Sequence, residues 1–322
     1  MKNPIRRGLV VGLLTTLTGT ALGELPPIFI TAGRVAEPIE ETLYSTSTVT
    51  AEEIERRQPR DVGEILGRLP GIEIGRNGGP GQATSAFIRG AASDHTLLLI
   101  DGVPVNSGTV GSPALQHFMA DQIDRIEVVR GPASTLYGSG AIGGVVQLLT
   151  PRVGKGTTVR VATGGGPDDT MNLNGSFAHG AEHMSARLAV SRRETDGYPI
   201  LPSVSSIDRG YDNDSFSGSL AFNLGDVAVD AGYFRSEGDV EYLDFFGAAV
   251  DQDTRNDLAR LSLKVAPTDI WQSRLLLAYV RDEIEENQSD DFAKTERDYI
   301  DWQNTFVVSD EHTLVGGITA NW

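Results

Sequence analysis

The chain has no cysteine, which excludes a disulfide framework and any thiolate metal site. That absence is neutral about compartment, because an exported protein can do without disulfides. It also has no apolar run near the ~20 residues that a membrane-spanning helix needs. Basic residues are scarce, 27 Lys and Arg against 44 Asp and Glu, for a formal net charge of -17. Nucleic-acid binding leans on clustered Lys and Arg to displace counterions, so a generic phosphate-binding surface is excluded. Acidic loops suit cations or an exposed outer surface instead. The hydrophobic share of 39% is low for a packed core in a chain this long, but it fits a barrel whose strands are apolar on one face only.

At the N-terminus, Lys2, Arg6 and Arg7 give a positive start, residues 8–17 are apolar, and Ala21, Leu22 and Gly23 offer small residues before a cut. Residues 1–23 therefore read as a signal peptide, the apolar run being too short for a transmembrane anchor. Any further membrane contact has to come from strands or from the surface.

The mature chain changes periodicity near residue 155. In the first region, Thr50 followed by Glu53 starts a capping box and a helix from Ala51 to Arg57. Asp61 is a good N-cap for a second helix carrying Val62, Ile65, Leu66 and Leu69 on one face and stopping at Pro70-Gly71. Residues 97–100 and 126–129 are short apolar runs without alternation, each ended by a turn, Asp101-Gly102 and Gly131-Pro132. Such runs are expected of strands buried on both faces.

From about residue 156 the pattern alternates with period two in strands of roughly ten residues, the length a tilted strand needs to cross a membrane. Leu220, Phe222 and Leu224 oppose Ser219, Ala221 and Asn223, and Leu261, Leu263 and Val265 oppose Arg260, Ser262 and Lys264. A soluble sandwich also alternates. Short turns at 225–226 and 266–269 against long polar loops at 195–214 and 238–255 favour the barrel. The region has room for about nine strands.

Residues 138–143 satisfy the GxGxxG spacing of a dinucleotide fingerprint. That fingerprint must open a helix, whereas here the β-prone run 145–149 follows, so the glycines read as turn and close-approach positions and no nucleotide cofactor is expected. Five histidines, His95, His117, His179, His183 and His312, are scattered, and Ser134 and Ser139 have no histidine with a plausible local role. No active site is expected.

The ordered motifs IRG (88–90), LIDGV (99–103), RIEVVRGP (125–132) and YGSGAIGGVV (137–146) together resemble the plug domain of TonB-dependent outer-membrane receptors of Gram-negative bacteria. The resemblance implies an α+β plug domain over residues 24–155 followed by part of an antiparallel transmembrane β-barrel over 156–322. The family's barrel has about 22 strands, so the chain is expected to be the N-terminal portion, either a fragment or the product of an interrupted gene. The stretches NGGPGQ (77–82), TDGYPI (195–200), YDND (211–214) and DTRNDL (253–258) are most similar to the cobalamin branch of that family.

The resemblance also implies site residues. The segment Ile28, Phe29, Ile30, Thr31 and Ala32, within 26–32, stands where the family has its TonB box. That box docks by strand addition on the inner-membrane energy-transducing protein TonB; an edge strand is the plainer reading. Arg89 and Arg130 stand where family arginines lock the plug to glutamates of the barrel wall. Asp212, Asp214, Asp244 and Asp253 stand in loops whose aspartates bind calcium in the cobalamin branch; an acidic solvated surface is the plainer reading. Pro199 replaces an aspartate there. Gln82 stands at the substrate face of the plug. The implied function is active uptake of a scarce nutrient, cobalamin or alternatively a ferric siderophore, with TonB and outer-membrane lipid as partners. A passive porin or adhesin is the rival from another class, and a periplasmic nicotinamide enzyme a third.

Overall fold

The computed structural model describes residues 29–30, 37–38, 42–108, 111–203, 205–244, 246–289, 291–309 and 312–322. The expected signal peptide, 1–23, lies outside them, as do Ile28, Thr31 and Ala32 of the expected TonB box.

The first unit starts with two-residue strands β1 (Phe29–Ile30) and β2 (Glu37–Pro38), which pair antiparallel. Strand β3 (Ser45–Val49) leads into α1 (Ala51–Arg57). As the sequence predicts, Thr50 caps α1, its Oγ1 accepting from the Glu53 amide at 3.4 Å; the Glu53 carboxylate pairs with Arg57 one turn on. Helix α2 (Val62–Leu66) is capped by Asp61, whose Oδ1 accepts from the Glu64 amide at 2.8 Å. It is shorter than expected. After Leu66 the chain tightens into turns in which the Arg68 and Leu69 amides bond the Ile65 and Leu66 carbonyls at 3.2 and 2.9 Å, the usual way a helix end satisfies its last carbonyls. Leu69 still packs on the core reached by Val62, Ile65 and Leu66.

A hairpin follows, β4 (Ile72–Arg76) with β5 (Thr84–Ile88). Then come β6 (Thr96–Ile100), β7 (Val103–Pro104), β8 (Arg125–Arg130), α3 (Ser134–Tyr137) and β9 (Gly144–Leu149). These strands and β3 form a sheet in the order β3-β8-β9-β6-β7, antiparallel except for the parallel pair β9 and β6. The apolar runs that do not alternate are explained by this position. Leu98, Ile100, Ile126, Val128, Val146 and Leu148 fill the main core, while Leu97, Leu99, Val129 and Val145 fill a second cluster. Asp101 (φ 47°) and Gly102 (φ 90°) make a two-residue turn between β6 and β7, and two successive positive φ angles suit Asp-Gly. The glycine-rich stretch 138–143 runs into strand β9, so it has no helix to present to a pyrophosphate.

The second unit is one antiparallel meander of nine strands, β10 (Gly156–Gly165), β11 (Met171–Gly180), β12 (Met184–Tyr198), β13 (Arg209–Leu224), β14 (Val227–Leu243), β15 (Ala249–Thr268), β16 (Trp271–Glu286), β17 (Phe292–Ser309) and β18 (His312–Asn321). Each pairs with its neighbours in sequence. Strand number and alternation are as the sequence predicts. Leu188, Val190, Leu220 and Leu261 point outward and exposed, while Ala189, Ser217, Ser236 and Ser262 point inward and are buried.

Strand length is not as predicted. Strands reach 20 residues, because pairing continues through polar stretches that composition suggests are loops. The connections at one end shrink to 166–170, 199–208, 244–248 and 287–291, and those at the other are 181–183, 225–226 and 269–270. The turn expected at 266–269 is reduced to Asp269 and Ile270, between β15 and β16. The contrast between longer and shorter ends survives.

The first unit packs on the inner face of this wall. Phe234, Leu258, Leu276, Val280 and Tyr299 of the wall are part of its main core, with Phe118 and Phe234 ring centroids 5.7 Å apart. Burying an apolar side chain of this size is worth about 1.5–3 kcal/mol, so the wall supplies a real share of that core.

Candidate functional site

The groups that could meet a ligand gather where the first unit touches the wall at the end carrying the longer connections. Two features of residues 77–82 shape this contact. The Asn77 amide bonds the Ala83 carbonyl at 3.1 Å and the Gln82 amide bonds Gly79 at 3.4 Å, closing the loop on itself. At Gly81 (φ 73°) an added Cβ would lie 2.1 Å from Tyr211 Cδ2, so the loop sits flat on the Tyr211 ring only because no side chain intervenes.

Tyr211 is buried and donates to the Gln116 carbonyl at 3.3 Å. Gln82 is buried too, and its Nε2 donates to the Glu241 carbonyl at 3.5 Å. The Glu241 carboxylate in turn accepts from the Gly210 amide at 3.0 Å. Further along, Ser236 Oγ donates to the His117 carbonyl at 2.9 Å and accepts from Asn213 Nδ2 at 2.8 Å. Ser217 Oγ donates to Gln122 Oε1. This rim is hydrogen-bonding, with the Glu241 carboxylate as a charged member, and is able to orient a polar molecule.

The expected residues fare differently. Gln82 is at the contact, as a buried bridge to the wall. Phe29 and Ile30 lie in β1, paired through the backbone with β2. Arg89 and Arg130 lie together: a Cβ at Gly71 would be 3.8 Å from both side chains. Burial, and after it the Arg89 charge, hold Arg130 below the usual guanidinium range. Arg130 Nη2 donates to Ser47 Oγ at 2.8 Å, while its Nε has no partner among the described residues. The wall strands described here offer these two arginines no glutamate.

The four aspartates do not come together as predicted, because YDND and Asp253 belong to strands and not loops. On β13 the inward positions are Tyr211 and Asn213, both buried, so Asp212 and Asp214 face away from the first unit. Asp214 pairs with Arg192 at 3.0 Å. Asp244 caps its own turn, its Oδ1 accepting from the Phe246 and Ala248 amides at 2.8 and 2.7 Å. Asp253 lies opposite Asp239 in register, with Asp212 nearby. Asp239 was missed by sequence reasoning, although its alternation with Gly238 and Val240 places it on the Asp253 face. Among the described residues no three His, Cys, Asp or Glu are arranged to hold a metal ion.

Tyr211, Gln116, Glu241 and Ser236 were also missed. The first could have been found by following β13 alternation one residue further from Asn213; the others depend on which strand meets which turn.

Comparison with known proteins agrees with this layout. Residues 38–145 match the family described as TonB-dependent receptor plug domain. The chain is 33% identical over 298 residues to a vitamin B12 transporter of Photobacterium profundum, covering 90% of this chain and 48% of that protein. It is 32% identical over 299 residues to the vitamin B12 transporter of Vibrio vulnificus, covering 90% and 49%. The chain thus spans about half the length of the curated relatives it matches. Among solved structures, it resembles the siderophore receptor PirA of Acinetobacter baumannii, with TM-score 0.71, 22% identity and coverage of 92% and 49%. It also resembles the ferripyoverdine receptor of Pseudomonas aeruginosa, with TM-score 0.77, 16% identity and coverage of 91% and 44%. At such identities these two show the fold alone.

Proposed function

We propose that the chain is the plug domain and adjoining barrel wall of a TonB-dependent outer-membrane receptor, residues 38–145 matching that plug domain, and that it serves active uptake of a corrinoid of the cobalamin class. The observation that carries the substrate class is the similarity to vitamin B12 transporters, at 33% identity through nine-tenths of the chain. Siderophore receptors share the fold at lower identity, which supplies no argument about substrate.

The contact geometry supports the same reading. Substrate would arrive at loop 77–82 and the Tyr211 rim, where Gln82 already bridges plug and wall through one long hydrogen bond of 3.5 Å. A ligand that takes over that bond exchanges one polar contact for another at little net cost. The plug then changes its hold on the wall at the point where substrate touches it. Pulling by TonB at the segment around residues 28–32 would complete the opening, and the extended backbone of Phe29–Ile30 in β1 supports strand addition there.

The test is uptake of radiolabelled cyanocobalamin by cells whose own receptor is deleted and which express this protein. Uptake should appear, and deletion of residues 28–32 should abolish it while binding at the surface persists. Uptake that survives the deletion would establish a passive pore. Uptake of ferric enterobactin in place of cobalamin would overturn the corrinoid assignment.

A further inference from the structure

The plug is held to the wall by a set of arginines away from Arg89 and Arg130. Residues 101–108, the β6–β7 turn and the strand end after it, lie along β15, β16 and β17, and each of these strands directs one arginine at them. Arg260 of β15 donates from Nε and Nη2 to Asp101 Oδ2 at 3.1 and 3.0 Å, and its Nη1 reaches Asp230 of β14. Arg274 of β16 lies against Gly102, its Nη2 being 3.1 Å from where a Cβ would stand. Arg297 of β17 donates from Nη2 to the Asn106 carbonyl at 2.6 Å and, at 3.5 Å, to that of Pro104.

Asp101 is the hub of this arrangement. Its Oδ1 accepts from the Thr150 amide at 3.0 Å and its Oδ2 from Thr150 Oγ1 at 2.8 Å, so the one carboxylate ties the end of β6 to the end of β9 and both to the wall. The Asp101 and Arg260 side chains are only 13% and 10% exposed, which separates this pair from surface ion pairs of negligible worth. Room for the guanidinium comes from Gly232, in register with Arg260, where a Cβ would lie 2.9 Å from Nε.

We propose that Asp101, Arg260 and Arg297 are positioning residues that seat the β6–β7 turn on the wall and so fix the plug in its closed place. Arg274 closes the turn from the third strand. The role rests on the receptor reading given above. The seating itself does not need substrate or TonB, so it is tested without either.

The absence of native cysteine makes a clean assay available. Val103, fully buried beside the turn, is replaced in Val103→Cys, and labelling by a membrane-impermeant maleimide is followed in outer-membrane vesicles. Asp101→Asn and Arg260→Gln should each speed labelling at least about tenfold, the factor for losing one charge-assisted hydrogen bond. Arg260→Lys, which keeps a cation between Asp101 and Asp230, should recover most of the protection. The Asp101→Asn/Arg260→Gln double variant should label no faster than the faster single one, since both act through one pair. General loosening would instead multiply the two effects and would overturn the proposal, as would labelling at the parent rate in both singles. Should the Asp101 variant fail to fold by its gel mobility, Arg297→Gln gives the same reading without touching that carboxylate; unchanged labelling there counts against the clasp. Arg192→Gln, in an exposed pair with Asp214, is the control.

Discussion

Lowering the pH should loosen the plug through His117. This side chain is buried at the plug–wall contact, and its protonation state follows from its neighbours. Gln116 Oε1 accepts from the Thr84 amide at 3.1 Å, which turns the Gln116 amide nitrogen toward His117 Nε2, 3.1 Å away. An amide nitrogen can only donate, so Nε2 is the acceptor and the imidazole proton sits on Nδ1, which has no partner among the described residues. Protonation would set a donor against a donor at a buried position. Burial accordingly lowers the His117 pKa to about 4.

Since the folded pKa is depressed, His117 costs nothing above the unfolded value of 6.5, and stability falls as the pH drops and only the unfolded chain takes up the proton. The loss is about 2 kcal/mol by pH 5 and about 3 kcal/mol by pH 4. Asp121 and Asp124, whose pKa values burial raises, work in the opposite direction at the acid end. The informative quantity is therefore the difference between the parent and His117→Gln. Hydrogen exchange of peptides covering 84–88 and 115–123, followed by mass spectrometry in urea between pH 7.5 and 5, should show a plug midpoint that falls with pH in the parent and much less in the variant. Equal slopes in the two would refute the assignment of a neutral, proton-excluding His117.

Two further substitutions probe the frame around the contact. Asp61→Ala removes the α2 cap and the bidentate partner of Arg76, held at 2.7 and 3.0 Å. With Arg76 partly solvated, a loss of about 2–3 kcal/mol in plug stability is expected from urea titration, and a loss below about 0.5 kcal/mol would show that the pair is idle. Gly232→Ala puts a methyl group 2.9 Å from a guanidinium pinned by two carboxylates. The β-sheet of the wall should still form, by circular dichroism, but plug exchange at residues 101–106 should rise; unaltered exchange would mean that Arg260 moves aside freely.

Much of the architecture was legible because it rests on local rules. The caps at Thr50 and Asp61, the Asp101-Gly102 turn, the doubly buried run 97–100 and the outward apolar positions of β13 and β15 each follow from side-chain chemistry at neighbouring positions. The errors have one physical source. Polar composition at 195–214 and 238–255 reads as loop, yet much of both segments pairs as strand because the adjacent strand supplies backbone partners. Placing YDND on a strand turned Asp212 and Asp214 to the face opposite Asn213, where Asp214 meets Arg192. The wall contacts of Tyr211, Ser236 and Arg260 depend on register over 95 to 159 residues of separation, which no local pattern encodes.

Under the transport function proposed above, the plug has to move, and the contact with the wall has parts that differ in how readily they separate. Its apolar parts are the five wall side chains packed under Phe118 and its neighbours and a smaller cluster of Met119 with Tyr211 and Val240; polar holds flank them, Gln82 and Ser236 toward the long connections and Asp101–Arg260 with Arg297 toward the turn. Water can replace a hydrogen bond at a net cost of about 0.5–1.5 kcal/mol, whereas uncovering apolar area costs in proportion to the area exposed. The polar parts of the wall contact can therefore part in small steps, while the apolar clusters part only as their area is uncovered. The buried Asp101–Arg260 pair is the exception, since separating it strands two charges. The turn at residues 101–104 should accordingly be the last part of the plug to leave the wall, and the Gln82 loop, held by one long hydrogen bond, the first.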